Sequence, residues 1–140
     1  VIAKVDLLIG PQSDTKPFGT LLALDFYDCP IRTLDSIEIG YKFLEGIVSH
    51  LGMTMQSPPF IFFSDAQRFP DKAGLSGWVP LIDSGISLHT LIPTKFATID
   101  VYSCSAIPIV ETITYAYKTF LPQRLEATYI YRGRNYPLSQ

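Results

Sequence analysis

Four side chains near the middle of the chain could carry out chemistry: Ser76, Ser84, His89 and Cys104. A serine hydroxyl attacks a carbonyl only when its surroundings orient it and take up its proton. An imidazole titrates close to neutral pH and suits that task. A thiol can return a proton to carbon as a general acid. Taken singly, each residue has an ordinary alternative. Ser76 and Ser84 stand beside glycines, as turn serines do, a lone strand histidine is usually a packing or surface residue, and a free cysteine is usually a small buried hydrophobe. Their joint order and spacing single them out. Other chemistries lack support: there is no G-x-S-x-G elbow and no glycine-rich phosphate loop. Cys29 and Cys104, with His50 and His89, form no zinc spacing, so no structural metal is expected.

The reactive residues lie within Gly74-Leu75-Ser76-Gly77, Asp83-Ser84, Ser87-Leu88-His89-Thr90 and Thr98-Ile99-Asp100-Val101-Tyr102-Ser103-Cys104. This succession resembles the prokaryotic type of S-adenosylmethionine decarboxylase, a pyruvoyl-dependent family. Leu22 to Cys29 is similar to that family's first strand, and Leu121 to Leu125 to its last helix-to-strand turn. The resemblance therefore runs from about residue 19 to 133. It implies self-processing between Asp83 and Ser84, with Ser84 the precursor of the pyruvoyl group, Asp83 the cleavage partner, and Ser76 and His89 assisting. It further implies that Cys104 is the proton donor, that Phe69 stacks on the substrate, and that the pyruvoyl group is the cofactor. The implied setting is spermidine and polyamine biosynthesis by a homodimer with its reactive residues near the subunit boundary.

The chain departs from the family pattern in three places. Asp83 stands where glutamate is usual and Gly85 where histidine is typical. Leu91-Ile92-Pro93-Thr94 replaces an aromatic, a proline and a glutamate that help hold the nucleoside. That last change predicts a weaker grip on the nucleoside end. It keeps two alternatives open: a related pyruvoyl decarboxylase of a free amino acid such as arginine or ornithine, and a non-processing, non-catalytic homologue acting as a binding or regulatory protein.

The elements that must position these residues follow from pattern and composition. With 140 residues, 47% hydrophobic and 17% charged, the chain has the makings of one folded domain and not of a disordered segment. Residues 1–18 read as an N-terminal extension and 19–133 as the decarboxylase-like body. A formal net charge of −2 argues against nucleic acid as a partner. No apolar run reaches the ~20 residues of a membrane span, and no charged-then-apolar leader is visible, so a soluble cytoplasmic protein is expected.

Alternation predicts strands over Val1–Ile9 (ended by Gly10-Pro11), Thr20–Tyr27, Phe60–Phe63, Trp78–Ile82, Ile86–Leu91, Phe96–Cys104 and Arg124–Arg132, with Pro80 pointing to an edge or a bulge. A period of three to four predicts a helix near Ser36–Leu51, facing inward through Ile37, Tyr41, Leu44, Ile47, Val48 and Leu51. Asp35 or Ser36 would cap its start, and Gly52 would close it. A second helix, Pro108–Leu121, would face inward through Val110, Ile113, Tyr117 and Phe120. Short connections favour antiparallel pairing. The expected fold is α+β: a two-layer sandwich of a mainly antiparallel sheet with two helices on one face, His89 and Cys104 lying on strands.

Overall fold

The computed structural model describes the backbone of residues 4–9 and the whole of residues 16–137. Seven strands form: β1 (Lys4–Ile9), β2 (Gly19–Tyr27), β3 (Phe60–Ser64), β4 (Gly74–Leu81), β5 (Ser84–Leu91), β6 (Phe96–Ser103) and β7 (Arg124–Arg132). Three helices accompany them: α1 (Ile31–Leu34), α2 (Ile37–His50) and α3 (Ile109–Phe120). The strands make one sheet in the order β1-β7-β2-β6-β5-β4-β3. All neighbours pair antiparallel except β1, which adds to β7 in parallel. Val1–Ala3 and Gly10-Pro11, where the first strand was expected to start and stop, lie outside the described residues.

The period of two decides which face is buried. Leu22, Leu24 and Phe26 of β2, Val79 and Leu81 of β4, Ile86 and Leu88 of β5, and Ile99 and Val101 of β6 point to one side and are buried. The α2 and α3 helices cover that side, α2 over β3 to β5 and α3 over β2. This is the expected two-layer arrangement, with the short α1 as an unforeseen third helix.

Both helices face inward largely as expected, through Leu44, Ile47, Val48 and Leu51 and through Ile113, Tyr117 and Phe120, but each departs at its first expected residue. On α2 the buried stripe is Gly40, Phe43, Leu44, Ile47 and Val48, while Ile37 is exposed. Gly40 belongs to it because a Cβ there would stand 2.4 Å from Ile61 Cδ1, so the helix rides unusually close to the sheet. On α3 the stripe is Thr112, Ala116 and Phe120, and Val110 points to solvent. There the Thr112 hydroxyl donates to the Pro108 carbonyl at 2.7 Å, which makes a buried threonine tolerable.

The α2 ends behave as read. The Ile39 N–H donates to Ser36 Oγ at 3.2 Å, and Gly52 takes φ +67 just past the helix. Pro80 sits on an inner strand, yet β3 stops pairing at Trp78, so no β3 partner needs the missing N–H.

Candidate active site

The β4–β5 hairpin builds the first part of the site. Leu81 pairs with Ser84, leaving Ile82-Asp83 as a two-residue turn. Asp83 adopts φ +55, a left-handed conformation that aspartate tolerates better than most residues. The turn sets the half-buried Ser84 at the very start of β5. Its hydroxyl donates to Ser103 Oγ at 3.4 Å, which is long for a hydroxyl pair. Ser103 is buried at the end of β6 and also accepts the Ser105 N–H at 3.0 Å. Cys104 follows directly and is half-buried. Ser84, Ser103 and Cys104 border one cavity of about 230 Å³, closed from the helix side by Gly52, Met53 and Pro108.

The second part lies on the uncovered face of the sheet. Ser76 and His89 are direct cross-strand partners, with Ser76 Oγ 3.2 Å from His89 Nδ1. They open onto a hollow of about 550 Å³ bordered by Phe60, Phe62 and Trp78. Two motif residues hold this register. Gly74 takes φ +153, and a Cβ there would fall 1.9 Å from the Thr90 carbonyl oxygen. The buried Thr90 hydroxyl accepts the Leu75 N–H at 2.8 Å and donates to the Leu34 carbonyl at 2.7 Å. Gly74 and Thr90 therefore serve the fold, and through it the Ser76–His89 pairing.

The two parts do not meet within one chain. His89 lies five residues along the strand from Ser84, a distance of about 17 Å. The odd spacing also sends their side chains to opposite faces. Phe69 is exposed in the turn before β4, at the other end of the hairpin from Ser84. The structure thus groups Asp83, Ser84 and Cys104 at one end, and Ser76, His89 and Phe69 towards the other.

Sequence reasoning passed over Ser103 and Trp78. Ser103 had only its place before Cys104 to mark it, and Trp78 looked like a strand residue of no special kind. Thr20 is a further surprise, a buried hydroxyl with no hydrogen-bond partner among the described residues, in a cavity of about 320 Å³ shared with Cys104, Tyr129 and Tyr131. Cys29 is a packing residue: burial first, and the Asp28 charge second, push its thiol up to about 12. Further along the uncovered face Asp25 stands opposite Glu126. Burial, then the charges of Glu126 and Asp100, raise the Asp25 pKa above its ordinary value.

The pattern of the S-adenosylmethionine decarboxylase family matches residues 20–133, most of the chain and every residue of both groups. The chain belongs to that family. A relative named S-adenosylmethionine decarboxylase proenzyme, from Persephonella marina, is 29% identical over 119 residues, spanning 84% of each chain. A second of the same name, from Sulfurihydrogenibium sp., is 29% identical over the same shares. The crystal structure of the adenosylmethionine decarboxylase from Aquifex aeolicus superposes with a TM-score of 0.72 at 26% identity, over 85% of this chain and 93% of that one. The α+β sheet-and-helix fold is that of the decarboxylase family. The family match begins at residue 20, after β1. Among the described residues no helix is long and apolar enough to cross a membrane.

Proposed function

We propose that the chain is a self-processing S-adenosylmethionine decarboxylase, a carboxy-lyase that makes its pyruvoyl group from Ser84. The observation that carries this reading is the shared cavity of Ser84 and Cys104 within a chain whose family match covers both. In processing, Ser84 Oγ bonds to the Asp83 carbonyl carbon as the peptide C–N bond breaks, and the hydroxyl proton passes to the freed amine. Loss of the Ser84 α-proton and breakage of its Cβ–O bond then release Asp83 as a new carboxylate and leave dehydroalanine. Water replaces the nitrogen, which departs as ammonia, and the pyruvoyl group remains. The surroundings suit this: the turn presents the Asp83–Ser84 bond, and Ser103 offers an acceptor to the attacking hydroxyl.

A pyruvoyl group at position 84 supplies an electrophilic carbonyl that condenses with an α-amine and accepts the electrons released with carbon dioxide. Residues 84, 103 and 104 would hold it, since all three border the same cavity. Cys104 then donates the proton that replaces the lost carboxylate.

The working unit we propose is a homodimer. The uncovered sheet face exposes Phe60, Phe62 and Trp78, more aromatic surface than a monomer ordinarily leaves in contact with water. We propose a two-fold axis that brings the Ser76 and His89 on this face of one subunit to the Asp83–Ser84 turn of the other, making two equivalent sites. That joins the two groups the single chain holds apart. We place the reaction in the cytoplasm, in polyamine synthesis, consistent with two unpaired cysteines.

Intact mass after purification tests the reading. Processing yields fragments of 83 and 57 residues, the shorter beginning with a pyruvoyl group, and the mature protein releases CO2 from carboxyl-labelled S-adenosylmethionine. Ser84→Ala stays whole. An uncut, inactive wild-type chain, or a Ser84→Ala chain cut at the same bond, refutes it.

A further inference from the structure

Thr20, Ser103 and Ser84 form a row of hydroxyls across three neighbouring strands, β2, β6 and β5. Thr20 stands directly opposite Ser103 in the antiparallel β2–β6 pair. Ser84, one residue before the Gly85–Tyr102 pair, meets Ser103 from the other side. All three fall in step with buried residues of their strands, Leu22, Val101 and Ile86, so they share the helix-covered face. Thr20 is 7% exposed, yet its hydroxyl has no hydrogen-bond partner among the described residues. A buried hydroxyl left unbonded costs stability, and valine has nearly the same shape without that cost. Packing therefore does not account for a threonine here.

The hydrogen-bond count at Ser103 supplies a reason. A serine hydroxyl has one proton to donate and two lone pairs with which to accept. Both lone pairs of Ser103 are engaged, one by the Ser84 hydroxyl and one by the Ser105 N–H. Its own proton must then point away from both, and it meets no acceptor among the described residues. Thr20 Oγ1, its lone pairs open, belongs to the residue facing it on the next strand. Residues so opposed have Cβ atoms about 4.5–5.5 Å apart, and threonine–serine pairs bond across strands at that separation. The cavity of about 320 Å³ that Thr20 borders gives its side chain room to turn about Cα–Cβ. We propose that Thr20 is a positioning residue for self-processing: turned toward Ser103, its hydroxyl accepts the Ser103 proton and so keeps a Ser103 lone pair on Ser84. Linked hydrogen bonds polarise one another, so a Ser103 that donates to Thr20 is a better acceptor for the attacking hydroxyl. Thr20 acts through Ser103 and not on the reacting atoms. The inference goes beyond the decarboxylase reading and rests on it.

Processing can be followed by intact mass as each full chain is made in a cell-free translation mixture. Thr20→Val keeps the shape but removes the acceptor, and should slow the split between Asp83 and Ser84 about 3- to 10-fold. Thr20→Ser restores a hydroxyl and should recover most of the rate. Because Thr20 acts through Ser103, adding Thr20→Val to Ser103→Ala should slow that variant no further. Thermal melting separates the effect from damage to the fold: on the uncut Ser84→Ala background, Thr20→Val should melt no lower than its parent. The role is overturned if Thr20→Val splits at the wild-type rate or melts lower than its parent. It is equally overturned if Thr20→Ser is as slow as Thr20→Val, or if the Ser103→Ala chain loses the same factor again. Failure of the decarboxylase reading looks different: a wild-type chain that neither splits nor releases CO2.

Discussion

Mixing two inactive variants tests whether the site is shared between subunits. Within one chain Ser84 and His89 lie about 17 Å apart on opposite faces, against the roughly 3 Å that proton transfer through a hydrogen bond requires. If His89 acts on the Ser84 of the other subunit, Ser84→Ala and His89→Ala homodimers each have two defective sites. A mixed dimer pairs the intact Ser84 of one chain with the intact His89 of the other, and so regains one site of two. Random pairing of equal amounts makes about half of the dimers mixed, so about a quarter of the wild-type number of sites is restored. Expressed together, with a distinguishing tag on one variant, the two chains should split to about that extent, and only the His89→Ala chain should be cut. Each variant alone should stay whole or process very slowly. A mixture that splits no more than its parents refutes the shared site, as does a chain that sediments only as a monomer at micromolar concentration.

Four further outcomes follow from named contacts. Ser103→Ala should slow the appearance of the 83- and 57-residue fragments, about tenfold for one lost orienting hydrogen bond, while Ser103→Thr keeps more of the rate. Thr90→Val strips the buried Leu75 N–H and Leu34 carbonyl of their partner and should cost about 2–4 kcal/mol, read as a lower denaturant midpoint. Thr20→Val removes a buried hydroxyl that has no partner among the described residues and should raise stability by about 1 kcal/mol, a gain of a few degrees in Tm. Asp25 has its pKa raised by burial, then by Glu126 and Asp100, so the folded state resists its ionisation. Wild-type stability therefore falls as pH rises from the ordinary value of 3.8 through the raised one, and Asp25→Asn should melt higher at pH 7 but not below about pH 3.5. An equal difference at both pH values contradicts that assignment.

Much of the molecule was determined by its sequence. Strict alternation in Phe96–Ser103 and Arg124–Arg132 marked these strands and their buried faces, because a period of two leaves the side chains no choice of side. The motif residues were equally legible, since reactive types at fixed gaps survive in a linear reading. Helix faces were less so: on α3 the inward stripe runs through Thr112 and Ala116, whose burial depends on a Pro108 carbonyl and on the nearness of the sheet. Polarity alone ranked Val110 above them.

The tertiary structure decided how the site is divided. Ser76, Ser84 and His89 lie within fourteen residues, but strand geometry turns that closeness into separation, and only the β4–β5 register shows it. It also decided what the departure at Gly85 means. In the sequence, glycine there reads as a lost side chain; across the hairpin a Cβ would stand 3.2 Å from Trp78 Nε1, a tight contact set by a neighbour on another strand.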